Sequence, residues 1–212
     1  MNVQSELEPA GASRRKAGRG KTPSRESLTP EVWLDAAIDL LENEGIDAVR
    51  VDVLAKRLGV TRGSFYWHFK DRDELLYGIL KSWRLAATEN LTRRLESASS
   101  DPREQLQDVL TLPFRGRSAA RASRIELAIR AWARRDSMAK HAVDEADAAR
   151  IAYIAQVFSS LGFGLQAARW RACIVYSVNV SSSLVGPINE MARPDEWLRQ
   201  VEHLLVRRPL DP

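Results

Sequence analysis

In the stretch from Thr61 to Arg72, TRGSFYWHFKDR, hydroxyl, cationic and aromatic side chains are interleaved with two phenylalanines. Thr61 and Ser64 are small hydroxyl residues at what would be a helix N-terminus, where free N–H groups and the helix dipole favour a phosphate. Arg62 carries a planar fork of donors that can bond guanine bidentately in a major groove. Gly63 has no side chain and lets a backbone approach the bases. Tyr66 and His68 have polar tips that can reach phosphates, Trp67 stands between them, and Lys70 and Arg72 follow at the edge. Any one of these residues is equally at home on a solvated helical hairpin. As a set they have the chemistry of a surface that reads duplex DNA.

Such a surface needs a rigid mount, and the flanking residues supply one. Leu54, Ala55 and Leu58 make an apolar stripe on a short helix. Gly59 can take the positive φ that a helix C-terminus commonly requires. Val60 re-enters the core, and Thr61 can N-cap a second short helix that carries Phe65 and Phe69 inward. The pattern is helix-turn-helix, whose second member lies in the major groove. Upstream, Thr29 as N-cap, Pro30 at the first helical position and a Leu28–Trp33 staple start a helix that ends at Gly45. Its face of Trp33, Ala37, Leu40 and Leu41 is placed to brace the pair, and Ile46, Val49 and Val51 extend that small core. Downstream, Asp71-x-x-Glu74 predicts a capped helix with Leu75, Leu76, Ile79, Leu80 and Trp83 inside, running to about Ser97.

The run from Leu28 to Leu76 resembles the DNA-binding domain of the TetR (tetracycline repressor) family of transcriptional regulators. The resemblance rests on Ala37, Gly45, Leu54-Ala55, Gly59-Val60, Phe65-Tyr66-x-His68-Phe69 and the charged start of the next helix. Arg50 departs from it, standing where the family has a Ser or Thr cap, and Asp52 lies near where a basic or polar DNA contact is found. DNA contacts are therefore expected from the second helix of the pair. The segments ELAIRAWARRD, DEADAAR and Arg169-Trp170-Arg171-Ala172 are similar to the C-terminal domain of one branch of these regulators. The resemblance implies a homodimer whose last two helices, about 165 to 185 and 194 to 206, form a four-helix bundle with their twins. It also implies a pseudo-palindromic double-stranded DNA operator, a small-molecule effector, and a long helix that moves the DNA-binding domain when effector binds. Repression is the family's usual mode, although the residues themselves leave repressor and activator open.

The 212 residues carry a net charge of only +4, so any nucleic-acid role depends on where the cations sit. They gather at the N-terminus and between Lys56 and Arg72. Residues 1–26, rich in Gly, Ala, Ser, Pro and basic residues without apolar periodicity, are expected to be disordered. They form either an arm that touches DNA or a solubilising tail. Cys173 is the sole cysteine, which fits a reducing cytoplasm. No signal peptide is apparent, and the most apolar run, Ala172 to Val178, is shorter than the ~20 residues a membrane span needs. Helical spacing recurs from Pro102 to Pro113, Ser118 to Arg135, Met138 to Leu161, Gln166 to Leu184 and Glu196 to Val206, with no strand-like alternation. The Gln166–Leu184 helix is apolar around much of its girth and is expected to be buried on more than one side. The expected fold is all-α: a tail (1–26), a three-helix DNA-binding domain (27–72), and a helical ligand-binding and dimerisation domain (73–212) joined through a long helix.

Within that second domain, Trp83, Phe114, Trp132, Tyr153 and Phe158 are candidate walls of an apolar pocket, each equally a core residue. Arg130 either pairs with Asp147 or meets an anionic effector. His141, Asp144 and Glu145 lie within a helical turn, but a single imidazole on an acidic face predicts no metal. Cys173, on an apolar helix, is expected to be buried. There is no Ser-His-Asp grouping, phosphate-cradling Gly loop or paired-Cys spacing, so neither an enzyme nor a cofactor is expected. Two other readings stay open: a C-terminal partner-interaction module without an effector, and a small helical enzyme supported by the His141 cluster alone.

Overall fold

The computed structural model describes residues 28–114, 116–185 and 194–207. Among the described residues there is no strand, and the chain is all-α. The reader region holds α1 (Pro30–Glu44), α2 (Val51–Leu58) and α3 (Arg62–Phe65). Then come α4 (Arg72–Ala87), α5 (Glu89–Ala98), α6 (Pro102–Thr111), α7 (Gly116–Ala133), α8 (Ser137–Ser160), α9 (Leu165–Val185) and α10 (Pro194–Val206). The tail of residues 1–26 lies outside the described residues.

Helix α1 starts at Pro30 behind an extended Thr29 and buries Trp33, Ala36, Ala37, Leu40 and Leu41. Leu28 is buried beside them. The turn after α2 follows from Gly59, whose φ of 69° and ψ of 28° are left-handed. The Val60 N–H donates to the Ala55 carbonyl at 3.0 Å and the Gly59 N–H to that of Lys56 at 3.2 Å, a paired closure of the helix end. Helix α3 is a single turn. The N–H groups of His68 and Phe69 both return to the Phe65 carbonyl, at 2.9 and 3.0 Å, and tighten its exit. Phe65 is wholly buried, edge-on to Trp33 with centroids 5.4 Å apart and stacked on Phe69 at 5.3 Å.

Helix α4 opens with two reciprocal bonds. The Asp71 carboxylate accepts from the Glu74 N–H at 2.9 Å, and the Glu74 carboxylate accepts from the Lys70 N–H at 2.6 Å. Its inner face is Leu75, Leu76, Ile79, Leu80 and Trp83. At Gly78 it passes so close to α1 that an added Cβ would lie 2.9 Å from a methyl of Leu34. The helix does not continue to Ser97. It breaks at buried Thr88, whose hydroxyl donates to the Arg84 carbonyl at 2.7 Å, and α5 begins afresh at Glu89.

Two apolar cores form. One gathers α1 to α4 with Ile129 and Trp132 of α7 and Ala139, Ala142, Val143 and Ala146 of α8. The other gathers Leu95, Leu106, Leu110, Phe158, Ala168 and their neighbours from α5, α6, α8, α9 and α10. Helix α8 thus belongs to both. Helix α9 is not buried on several sides: Ala168, Ala172 and Val175 face inward, while Leu165 (68%), Trp170 (63%) and Ile174 (56%) are exposed. Cys173 is exposed as well, contrary to expectation, because α9 packs on α7 and α8 along one side only.

Gly59→Ala tests the turn. A Cβ there meets nothing within 4 Å, so the cost is backbone strain alone. It should lower the stability measured by urea unfolding by about 1 to 2 kcal/mol. An unchanged midpoint would mean that the turn has another conformation available.

Candidate nucleic-acid interface and cavity

The reader surface is built outward from Phe65. With Phe65 and Phe69 fixed against Trp33, the opposite side of the turn carries Thr61, Arg62 and Gly63, all exposed. Tyr66 is 55% and Trp67 87% exposed, a large apolar ring standing free in water. Lys70 is exposed beside them. His68 is half-buried, near enough to α1 to help hold the Glu31 carboxyl below its usual range, an effect due first to the hydrogen bond from Thr29.

Two residues expected on this surface are elsewhere. Ser64 is buried, at 8% exposure. Arg72 turns away from the surface: its Nε donates to the Val49 carbonyl at 2.6 Å and its Nη2 to the Ile46 carbonyl at 3.0 Å. Those carbonyls lie at the two ends of the short 3-10 turn Ile46–Ala48 and its cap; that of Ile46 also accepts from the Val49 N–H at 3.2 Å, so Arg72 fills its second lone pair. Arg72 therefore fastens the start of α4 to the loop that enters α2. Among the other cations, Arg50 pairs with Asp52 at 2.8 Å, and Arg57 lies 3.9 Å from Asp39 and 4.0 Å from Glu44. Lys56, Arg62 and Lys70 form no ion pair among the described residues, and they are the cations this face can offer.

At the other end of α4 a cavity of about 150 Å³ opens between α5, α6, α7, α8 and α9. Its walls are mainly aliphatic, including Leu91, Leu95, Val109, Ile154 and Val180, and its polar end is Glu126, Arg150 and Tyr176. Arg150 grips Glu126 through both terminal nitrogens, at 2.9 and 3.0 Å, while its Nε donates to the Ala87 carbonyl at 3.0 Å. The guanidinium also lies 5.8 Å from the centre of the Trp83 ring. Behind it, Arg130 donates to Glu126 at 2.8 Å, to Asp147 at 2.6 Å and to the Tyr176 hydroxyl at 2.7 Å. The Tyr176 hydroxyl in turn donates to Asp147. Burial alone would raise the Glu126 pKa, but the charges and hydrogen bonds of Arg150 and Arg130 together outweigh it and hold the carboxyl below its usual range. Burial, and then the bond to Asp147, push the Tyr176 phenol up to about 12.

Of the residues expected to wall a pocket, Tyr153 lines this cavity. Trp83 and Trp132 are packed in the first core and Phe158 in the second, where large rings fill the space between helices. The side chain of Phe114 lies outside the described ones. Arg130 stands one layer behind the wall, with Asp147 as its partner. Glu126, Arg150 and Tyr176 were not singled out from the sequence. A usable signal did exist, since Glu126 and Arg130 sit at i, i+4 on an otherwise apolar helix face. The His141 cluster does not converge: His141 lies 3.4 Å from Glu145, Asp144 pairs with Lys140, and no metal-holding group occurs among the described residues.

Arg72→Ala would remove two partly buried hydrogen bonds, those to the Val49 and Ile46 carbonyls. It should lower stability by about 1 to 3 kcal/mol in thermal or urea unfolding. Arg72→Lys should recover little of that, because an ammonium lacks the fork that spans both carbonyls. Full recovery would mean that charge, not geometry, matters at this position.

The model of bacterial regulatory proteins of the tetR family matches residues 34–78. The HTH-type transcriptional regulator AcrR of Shigella flexneri is 33% identical over 93 residues, which cover 42% of this chain and 42% of that protein. The class A tetracycline repressor protein from transposon 1721 of Escherichia coli is 35% identical over 79 residues, covering 37% of this chain and 35% of the repressor. These matches span less than half of either protein. Likeness of fold extends further. A transcriptional regulator from Rhodococcus sp. Rha1 superposes with a TM-score of 0.65 at 21% identity, covering 84% of this chain and 94% of that one. The reduced form of Escherichia coli NemR gives 0.65 at 18% identity, covering 84% and 95%. At such identities the likeness carries the fold and nothing finer. Residues 34–78, the helices that mount the reader turn, thus match the DNA-binding region of bacterial regulatory proteins of the tetR family, and the helices behind them share the fold of such regulators.

Proposed function

We propose that the chain is a homodimeric DNA-binding regulator of transcription, a repressor whose hold on a pseudo-palindromic operator responds to a small molecule in the cavity. The observation that carries this reading is α4. One helix is fastened by Arg72 to the loop beneath the reader and by Arg150 to the polar end of the cavity. A molecule that alters the Glu126–Arg150 pair therefore acts on the same helix that orients α3.

Each subunit sets Thr61 to Phe69 in a major groove, with Arg62 reading a base and Thr61, Tyr66 and Lys70 gripping the backbone. Trp67 is exposed enough to pack on sugar or base edge. Dimerisation is supported by the outer face of α9 and α10, where Leu165, Trp170, Ile174 and Leu204 are all exposed in the single chain. Two copies related by a two-fold axis would cover that face and separate the readers by one helical turn of DNA or a multiple. Ligand response is a population shift: a ligand that prefers one spacing of the readers moves the dimer toward it by no more than its differential affinity. Such a protein works in the cytoplasm. In keeping with that, no helix among the described residues is long and apolar enough to cross a membrane.

Operator fragments selected from genomic DNA give the test. Arg62→Ala should weaken binding to them by on the order of 1 to 3 kcal/mol and relax the preference at one position per half-site. Should the parent protein sediment as a monomer and prefer no duplex over bulk competitor, the reading fails. Coupling is tested separately. Arg150→Gln leaves a buried carboxylate with less compensation and should cost on the order of 3 kcal/mol, whereas the double change Glu126→Gln, Arg150→Gln should cost less. The double variant should still bind operator but lose its response to ligand. A response of undiminished size would remove this pair from the route.

A further inference from the structure

We infer that the molecule taken by the cavity is uncharged, largely apolar and about one ring in size. The inference rests on the reading above that this cavity is the regulatory site.

Charge comes first. The ionic groups at the cavity wall are Glu126 and Arg150, and each is already consumed by the other. Both oxygens of Glu126 accept from Arg150, and one accepts from Arg130 as well. All three nitrogens of Arg150 have partners: Nε on the Ala87 carbonyl, Nη1 on Glu126 with Tyr176 at 3.5 Å, and Nη2 on Glu126. In the next layer Arg130 and Asp147 balance each other. Two guanidinium groups face two carboxylates, so an entering ion of either sign meets no spare counter-charge at the polar end of the cavity. It would have to shed its hydration without compensation, at a cost of several kcal/mol. An anion could win Arg150 only by stranding Glu126, and a cation could win Glu126 only by stranding Arg150.

Size and polarity follow. An apolar cavity of roughly 150 Å³ is about what one benzene ring occupies. Most of the wall is aliphatic, from Leu91, Leu95, Val109, Ile154 and Val180.

Four ring probes on the full-length protein decide the matter at neutral pH: toluene, phenol, benzoate and benzylammonium, each by thermal shift and calorimetric titration. Toluene and phenol should raise the melting temperature, and the two ions should not. Benzoate or benzylammonium binding as tightly as phenol would overturn the inference, and so would failure of both neutral rings to bind. Operator binding measured in parallel keeps the two readings apart. A protein that selects an operator yet takes a charged ring loses this ligand class and keeps its regulatory reading. One that takes phenol but prefers no duplex keeps the cavity chemistry and loses the regulator.

Discussion

The structure depends on two arginines that spend their guanidinium groups on main-chain carbonyls at opposite ends of one helix. Arg72 takes the carbonyls of Ile46 and Val49, and Arg150 takes that of Ala87. A backbone carbonyl is a fixed point of the fold, whereas a side-chain partner can swing, so these bonds transmit position more faithfully than surface ion pairs. Helix α4 has 16 residues and spans roughly 24 Å, which carries any displacement at the cavity to the foot of the reader. The break at Thr88 belongs to the same arrangement. By ending α4 there, the chain turns α5 into a cavity wall and presents the Ala87 carbonyl to Arg150.

The reader itself is small and gains its rigidity from what lies behind it. A helix of four residues has almost no stability of its own, since helix formation carries a costly nucleus. Phe65 supplies what propensity cannot. Its ring is closed in by Trp33 at one edge and Phe69 on one face, so the direction of Arg62, Gly63 and Tyr66 is set by aromatic packing.

Much of this was legible because it is local. The Gly59 turn, the Asp71–Glu74 cap, the inward Phe65 and Phe69 and the five buried positions of α4 each depend on residues within a few places of one another. What escaped the sequence depends on partners far along the chain. Arg72 is turned inward by carbonyls 23 and 26 residues back, and the end of α4 is completed by an arginine 63 residues on. The cavity wall is hard to read from sequence for another reason. Size made Trp83, Trp132 and Phe158 attractive candidates, yet large rings are what the two cores required, and the space they leave is bordered by aliphatic side chains. Charge on an apolar helix face, as at Glu126 and Arg130, was the better guide. The exposed side of α9 looked like core for the plain reason that apolar residues on a helix do not say which chain will cover them.

The first core limits how the reader can be moved. It runs without interruption from α1 to α4 into Ile129 and Trp132 of α7 and Ala146 of α8. Ion pairs add to it on the outside, with Arg121 and Arg124 reaching Asp39 and Glu42 of α1. The Arg121–Asp39 pair is exposed and contributes under about 1 kcal/mol, within what a typical coupling energy of about 1 to 3 kcal/mol can overcome, whereas Glu42 is largely buried between its two arginines. Opening the apolar seam around Trp132 is another matter, since stripping a buried Trp from its packing costs about 3 to 5 kcal/mol. Motion that leaves the seam closed is therefore favoured over separation of the two regions. A small rotation of α4 about its contacts with α1 and α8 satisfies that condition, and its room is set at Gly78, where the Leu34 side chain of α1 packs so close that no Cβ would fit.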